Sequence, residues 1–397
     1  MTTDKHNKRP NVPPLRFPEF TEPWETAKLG AIAEFSKGTG ISKEQRSETG
    51  LPCILYGELY TTYTNEVIEE VVSKTDLDPT DLVKSQKNDV IIPSSGETAE
   101  DIATARCVTS DNVLLGGDLN IIRLVEPNDG RFMSYQLNGI RKYDIAKIAQ
   151  GVSVVHLYGG DLKMLSVTFP QSPEQKKIAD CISLLDRRIS VQSGLIEDLQ
   201  KLKAALVERL FCNKLGWKRY KYRDLLSPIS ERNSGNQFSN VLSASQELGM
   251  VSRTDLDIDI KFDRSAVTTY KIVRDGDYVL HLRSFQGGLA FSSMTGICSP
   301  AYTILRPVKE LEYGFFQEYF MSKSFINSLR LVTYGIRDGR SINVDEFLDM
   351  PVEIPDSATQ CRIISILSIM NRHLRLAIKQ NENFIKQKQY LLQQMFI

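Results

Sequence analysis

The sequence has little of what catalytic centres are usually made from. Its four histidines, His6, His156, His281 and His373, are far apart, and its six cysteines are scattered with no CxxC pair. Neither set has the ligand spacing of a zinc site. The cysteines read as small buried hydrophobes in a reducing compartment. There is no GxxxxGK[ST] loop to cradle phosphates, and the pairs Gly116-Gly117, Gly159-Gly160 and Gly287-Gly288 read as turns. Ser153 and His156 lie close in sequence, but neither a nucleophile elbow nor a third triad member accompanies them. No run approaches the roughly 20 apolar residues that span a bilayer. The opening MTTDKHNKRP lacks an apolar signal core, so a cytoplasmic protein with a disordered tail over 1–12 is expected.

Net charge of one sign is also missing. The chain carries 49 Lys and Arg against 49 Asp and Glu, which excludes a strong global field toward polyanions. The distribution is uneven. Residues 13–172 hold more acids than bases, whereas 357–397 are basic, with Glu382 the sole acid. Any nucleic-acid contact must therefore be local.

What the sequence does contain is a copy of itself. Shifting it by 185 residues superposes 169–212 on 354–397 without a gap. Identities include Pro170/Pro355, Ser172/Ser357, Gln175/Gln360, Ile178/Ile363, Arg187/Arg372, Glu197/Glu382, Lys201/Lys386, Leu206/Leu391 and Phe211/Phe396. Looser matches continue upstream. NDVIIPSSG aligns with DGDYVLHLR through Asp89 and Asp277, DLNIIRL with AYTILRP, and AQGVSVVHLYGGDL with TYGIRDGRSINVDEF through Gly151 and Gly335. Trp24 stands opposite Trp217. A chain of 397 residues exceeds one typical core, and here it divides as domain–helix–domain–helix.

Both repeated segments carry apolar residues at alternating steps of four and three. In the first these include Ile178, Ile182, Leu185, Ile189, Ile196, Leu199, Leu206 and Leu210; in the second, Ile363, Leu367, Met370, Leu374, Phe384, Leu391 and Met395. That spacing keeps one stripe facing a partner helix. The stripe is interrupted by polar residues at matched places, Lys203/Lys388 and near the middle, where such residues can fix register. About 40 residues make about 60 Å of helix, too long for one small domain to cover. Pairing with each other is therefore expected. Ser172 reads as the cap of the first helix and Pro173 as its first residue. In the second copy Ala358-Thr359 replace Pro173-Glu174 and Cys361-Arg362 replace Lys176-Lys177, which predicts a weaker cap.

The intervening segments are rich in short β-branched runs bounded by Gly, Asp or Pro: NDVIIPSS, DLNIIRLV, KMLSVTFP, GDYVLHLR and AYTILRP. RFMSYQLNGIRKYDIAKIA and YGFFQEYFMSKSFINSLRLV read as helical. The expected class is α+β: two β-rich domains in tandem, at 13–172 and 213–356, followed by long helices at 173–212 and 357–397 that pair as an antiparallel coiled coil.

LSVTFPQSPEQKKIADCISLLDRRI at 165–189, its degenerate copy at 350–374 and the opening LRFPEFTEPWETAKLGAIAEFSKG at 15–38 resemble the specificity subunit of type I restriction–modification systems, the HsdS family. The resemblance covers nearly the whole chain. It implies two target-recognition domains, each reading one half of an asymmetric bipartite double-stranded DNA site, joined by a helical spacer that sets their separation. It also implies two methyltransferase (modification) subunits and a set of translocating endonuclease (restriction) subunits as partners. S-adenosylmethionine, ATP and Mg²⁺ would be held by those partners, with no cofactor, no metal and no catalysis on this chain. A standalone DNA-binding regulator and a coiled-coil scaffold remain the alternatives.

Sequence is read at base edges by side chains such as Arg for guanine and Gln for adenine, while Lys, Ser and Thr hold phosphates. Polar, glycine-bearing loops beside strands are therefore the candidates. The first domain offers Lys37, Thr39 and Ser42, then Tyr56, Tyr60 and Tyr63, then Ser94, Ser95, Ser153 and His156. The second offers Arg283, Ser284, Gln286, Tyr334, Arg337, Arg340 and Ser341.

Overall fold

The computed structural model describes residues 11–151, 153–212, 214–245, 248–253, 264–308, 310–334 and 341–397. The chain separates into two units. Unit 1 takes the residues up to Ser193 together with Lys379–Ile397, and unit 2 is Gly194–Ile378. Two long helices, Ser172–Cys212 and Ser357–Gln394, are each divided between the units.

The repeat read from the sequence is a repeat of structure. In unit 1 an antiparallel sheet runs in the order Ala33–Lys37, Leu119–Leu124, Asp89–Pro93, Arg106–Val108, closed by a short parallel strand, Val67–Ile68. In unit 2 the order is Leu226–Ile229, Thr303–Pro307, Tyr278–Leu280, Ala290–Phe291, also antiparallel. A two-stranded ladder leads into each long helix: Glu25–Lys28 with Ser166–Phe169, and Lys218–Lys221 with Pro351–Ile354. The central strand Asp89–Pro93 is buried at every position, which accounts for its unbroken apolar run.

The helical expectations are met with breaks. RFMSYQLNGIRKYDIAKIA forms Gly130–Asn138 and Lys142–Ile148, interrupted after Gly139. YGFFQEYFMSKSFINSLRLV is a string of turns around one short helix, Lys323–Ser328, because Ser322 caps that helix and ends the preceding turn.

Capping of the long helices differs from expectation. Ser172 is the first helical residue of its helix, and the carbonyl of Gln171 accepts from the Glu174 and Gln175 amides. The second helix, expected to be weaker at its start, has the side-chain cap: the Asp356 carboxylate accepts from the Thr359 amide at 2.8 Å. The cap sits where the aligned copies differ, Gln171 against Asp356, between the identities Pro170/Pro355 and Ser172/Ser357.

Each unit buries residues of both long helices. The core of unit 1 holds Ile178, Ala179 and Ile182 from the first helix and Met395 and Phe396 from just beyond the end of the second. The core of unit 2 holds Ile363 and Leu367 from the second helix and Val207 and Phe211 from the end of the first. The terminal phenylalanines occupy equivalent seats. Phe396 packs on Phe132 at 5.1 Å, and Phe211 on Phe315 at 5.3 Å. Within unit 1 the helices run antiparallel: Lys388 pairs with Asp186 at 2.6 Å, and seven residues along, the Asn381 amide donates to Ser193.

The polar interruptions of the seam are the lysines, and each meets an acid from its own unit. Lys388 bonds Glu66 as well as Asp186, and Tyr135 donates to Asp186 at 2.6 Å. In unit 2 Lys203 pairs with Glu318 at 2.7 Å, and Asn371, at the position equivalent to Asp186, donates to the same carboxylate at 2.6 Å. Burial raises the Asp186 carboxyl above its ordinary pKa, with Glu66 adding to the rise and Lys388 opposing it. Burial likewise pushes the Tyr135 hydroxyl well up.

Candidate nucleic-acid interface

Loops distant in sequence converge at the same place in both units. In unit 1 Gln150 and His156 exchange two backbone hydrogen bonds, of 2.9 and 2.7 Å, and close a hairpin over 151–155. Gly151 has φ +128°, and a Cβ there would sit 2.1 Å from the Val154 carbonyl, so only glycine fits. The hairpin's return strand, Val155–His156, pairs with Ser95–Gly96, placing His156 opposite Ser95. The predicted PSSGET and QGVSVVH segments are thus one surface. Ser153 and His156 are exposed, whereas Ser94 and Ser95 are largely buried in it.

Unit 2 repeats the device. Tyr334 pairs with Ser341 in the ladder Thr333–Tyr334 with Ser341–Ile342. The candidates Arg337 and Arg340 lie outside the described residues. The short helix Ser284–Gly287 packs beside the Ser341–Ile342 strand, which brings HLRSFQGG to the same surface. Arg283, Gln286, Tyr334 and Ser341 are exposed there. Ser284 is fully buried and its hydroxyl accepts from the His281 amide at 2.8 Å, so it shapes the turn from within. Burial also holds the neighbouring His281 below its ordinary pKa. The Tyr334 hydroxyl donates to Glu346 at 2.6 Å.

The remaining candidates of unit 1 gather elsewhere. Gly38 and Gly116 cross so closely that a Cβ on Gly38 would be 2.0 Å from the Gly116 carbonyl. This crossing positions Lys37, exposed, and Thr39, whose hydroxyl accepts from the Val83 amide. Ser42 closes a capping box with Gln45. Ser42 and Tyr56 line one groove of about 820 Å³ with Gly40, Arg46, Glu58 and Gly117. Residue-type reasoning did not single out Arg46 or Glu58. Glu58 is almost buried, accepts from the Leu55 amide and pairs with Arg46. Tyr60, half-buried beside Tyr56, is pushed up in pKa by its burial. Tyr63 is buried and accepts from the Val72 amide, so it belongs to the core.

Two residues of the unit 1 hairpin surface were missed by sequence reasoning. Val154 and Tyr158 are 53% and 49% exposed, and the Tyr158 ring stacks on His156. The signal that could have found them is their spacing: 154, 156 and 158 share one face of an extended segment. Among the described residues, no group of His, Cys, Asp and Glu is arranged to hold a metal, and no helix is long and apolar enough to cross a membrane.

Two equivalent units, each built from parts of two long helices, define a tandem-repeat protein. Comparison with known proteins agrees. Residues 21–201 match the family described as the type I restriction modification DNA specificity domain. A protein named as the type I restriction enzyme MjaX specificity subunit of Methanocaldococcus jannaschii is 25% identical over 221 residues, 51% of this chain and 49% of that one. The chain thus spans about half the length of the curated relative it matches. The crystal structure of a type I restriction–modification S subunit from M. genitalium superposes with a TM-score of 0.62 at 16% identity, covering 97% of this chain and 99% of that one. A second structure, from work on complex assembly and conformational transition of the type I system, gives 0.56 at 14% identity, covering 96% and 98%. At those identities the likeness is one of fold. Residues 21–201 thus resemble the type I restriction modification DNA specificity domain, and the full chain shares the fold of the M. genitalium S subunit.

Proposed function

We propose that this chain is the non-catalytic specificity subunit of a cytoplasmic type I restriction–modification complex. It reads an asymmetric bipartite site in double-stranded DNA. Partner modification subunits carry S-adenosylmethionine and methylate adenine there. Partner restriction subunits use ATP and Mg²⁺ to cut unmethylated DNA. The observation that carries this reading is a doubled ladder: Gln150 with His156 beside Ser95 in one unit, Thr333–Tyr334 with Ser341–Ile342 beside Ser284–Gly287 in the other. Two surfaces built alike from unlike residues suit two half-sites of different sequence.

Partner docking is supported by a second doubling. Leu184 and Val191, seven residues apart on the first long helix, are exposed, as are Ile369 and Leu376 at the equivalent positions of the second. Apolar side chains at heptad spacing and open to solvent suit a partner helix. One such patch falls in each unit, which fits two modification subunits per chain. Sequencing the methylome of a host with and without the gene tests the function. A split adenine-methylated motif that vanishes with the gene is expected, and an unchanged methylome would refute it.

A further inference from the structure

The outer face of the unit 1 hairpin is unusual for solvent-exposed strand. Val155 and Leu157 point inward and are buried, as the alternation of an extended segment requires. The outward positions hold Val154, His156 and Tyr158 in place of the charged residues that usually cover such a face. The strip is rigid. Its base is the double hydrogen bond between Gln150 and His156, its flank is the ladder to Ser95–Gly96, and the Leu157 carbonyl accepts from the buried Asn120 amide at 2.9 Å. Gly151 sets the tip that carries Val154. The Tyr158 ring lies 6.2 Å from that of His156, with 29° between the ring planes, and flanks one side of the imidazole.

An exposed methyl-bearing side chain on the same face as an imidazole has a complementary chemical target within DNA. In the major groove thymine alone among the bases presents a C5 methyl, and purines present the N7 acceptor that an imidazole N–H can meet. We infer that Val154 is a specificity-determining residue of unit 1, reading a thymine methyl group, with His156 reading a neighbouring purine edge and Tyr158 positioning that imidazole. The inference rests on the DNA-reading function proposed above and names the chemistry of one base within it.

The test uses the complex assembled with its modification subunits and duplexes carrying the methylated motif. Each thymine of the motif is replaced in turn by deoxyuridine, which removes only the methyl group. At one thymine of a single half-site the swap should weaken wild-type binding about fourfold, the effect of one buried methyl. The Val154→Ala complex should bind the thymine duplex about as weakly and show no further loss on the swap at that position. Val154→Thr, which keeps one methyl, should fall between. Tyr158→Ala should weaken binding without altering the thymine-to-deoxyuridine ratio. If no swap distinguishes wild type from Val154→Ala, or if the motif contains no thymine, the assignment of Val154 is wrong while DNA reading stands. If the wild-type complex binds no duplex above a random control, the functional proposal itself fails, and this inference with it.

Discussion

Arg306 holds Asp277 through two parallel hydrogen bonds of 2.8 and 2.9 Å, and the same carboxylate accepts from the Arg274 amide three residues earlier. Unit 1 contains the same clamp. Arg123 bonds Asp89 twice at 2.8 Å, and Asp89 accepts from the Gln86 amide. Both aspartates are about 1% exposed. Each ties a turn to the start of a central strand and to the strand beside it. The sequence alignment that paired Asp89 with Asp277 was therefore matching a mechanical part.

Replacing Asp277 with alanine removes the charge partner of Arg306 and the acceptor of the turn. The expected destabilisation is about 1.5–3 kcal/mol, the range for hydrogen bonds to charged groups, and Asp89→Ala should cost the same. Urea unfolding of the two variants checks this, and a difference of more than about 1 kcal/mol between them would break the equivalence of the clamps.

Gln175 and Gln360 make a second repeated joint. The Gln175 side chain accepts from the Asp129 amide and donates to the Pro170 carbonyl; that of Gln360 accepts from the Glu312 amide and donates to the Pro355 carbonyl. Either Gln→Ala change leaves buried backbone groups without partners, at about 1–3 kcal/mol. Thermal unfolding should show both variants melting lower, with the long helices still formed by far-ultraviolet circular dichroism.

Asp186 provides a pH test. Its carboxyl is raised in the folded protein, so between its unfolded and folded pKa values the native state binds more protons than the unfolded state. Stability from this group is thus present at low pH and declines as pH rises through that window. Asp186→Asn copies the Asn371 arrangement of unit 2 and removes the titration. Melting temperature plotted from pH 4 upward should fall less steeply for the variant than for wild type, and identical slopes would show that Asp186 does not govern the trend.

Partner stoichiometry follows from the exposed helix patches. Light scattering of the co-expressed complex should give two modification subunits per copy of this chain. Leu184→Asp with Val191→Asp, or Ile369→Asp with Leu376→Asp, should each reduce that to one without unfolding the chain, since all four side chains are exposed. A native one-to-one complex would contradict the proposal.

The readers should also be separable. Replacing residues 213–353 with those of a relative should change one half of the methylated motif and leave the other intact. Methylome sequencing of the chimera decides it, and a change in both halves would sink the modular reading.

The repeat, the long helices and the register lysines were legible in the sequence because duplication left identities at the positions that bear the joints. The acids opposite those lysines were not. Glu66 and Glu318 come from unrelated loops of the two units, so no alignment pairs them, and only folding brings each to its lysine. The hairpin surfaces were half legible. Polar, glycine-bearing loops marked the segments, but the pairing of Ser95 with His156 needs a sheet spanning some 60 residues, and the burial of Ser284 and Tyr63 depends on neighbours distant in sequence.

The seat of Phe396 against Phe132 also has a consequence in time. The core of unit 1 is built mostly from residues before Ser193, yet it is completed by Met395 and Phe396, which are synthesised some 200 residues later. Some 200 residues separate Ser193 from the chain's end. At about 5–20 residues per second, the nascent first unit waits roughly 10–40 s with its apolar socket open. During that interval the freshly made end of the first helix, with Lys203, Leu206 and Phe211 where the second helix has Lys388, Leu391 and Phe396, is the one segment already synthesised that matches the socket. Order of synthesis thus gives the two matching ends an opportunity to be exchanged.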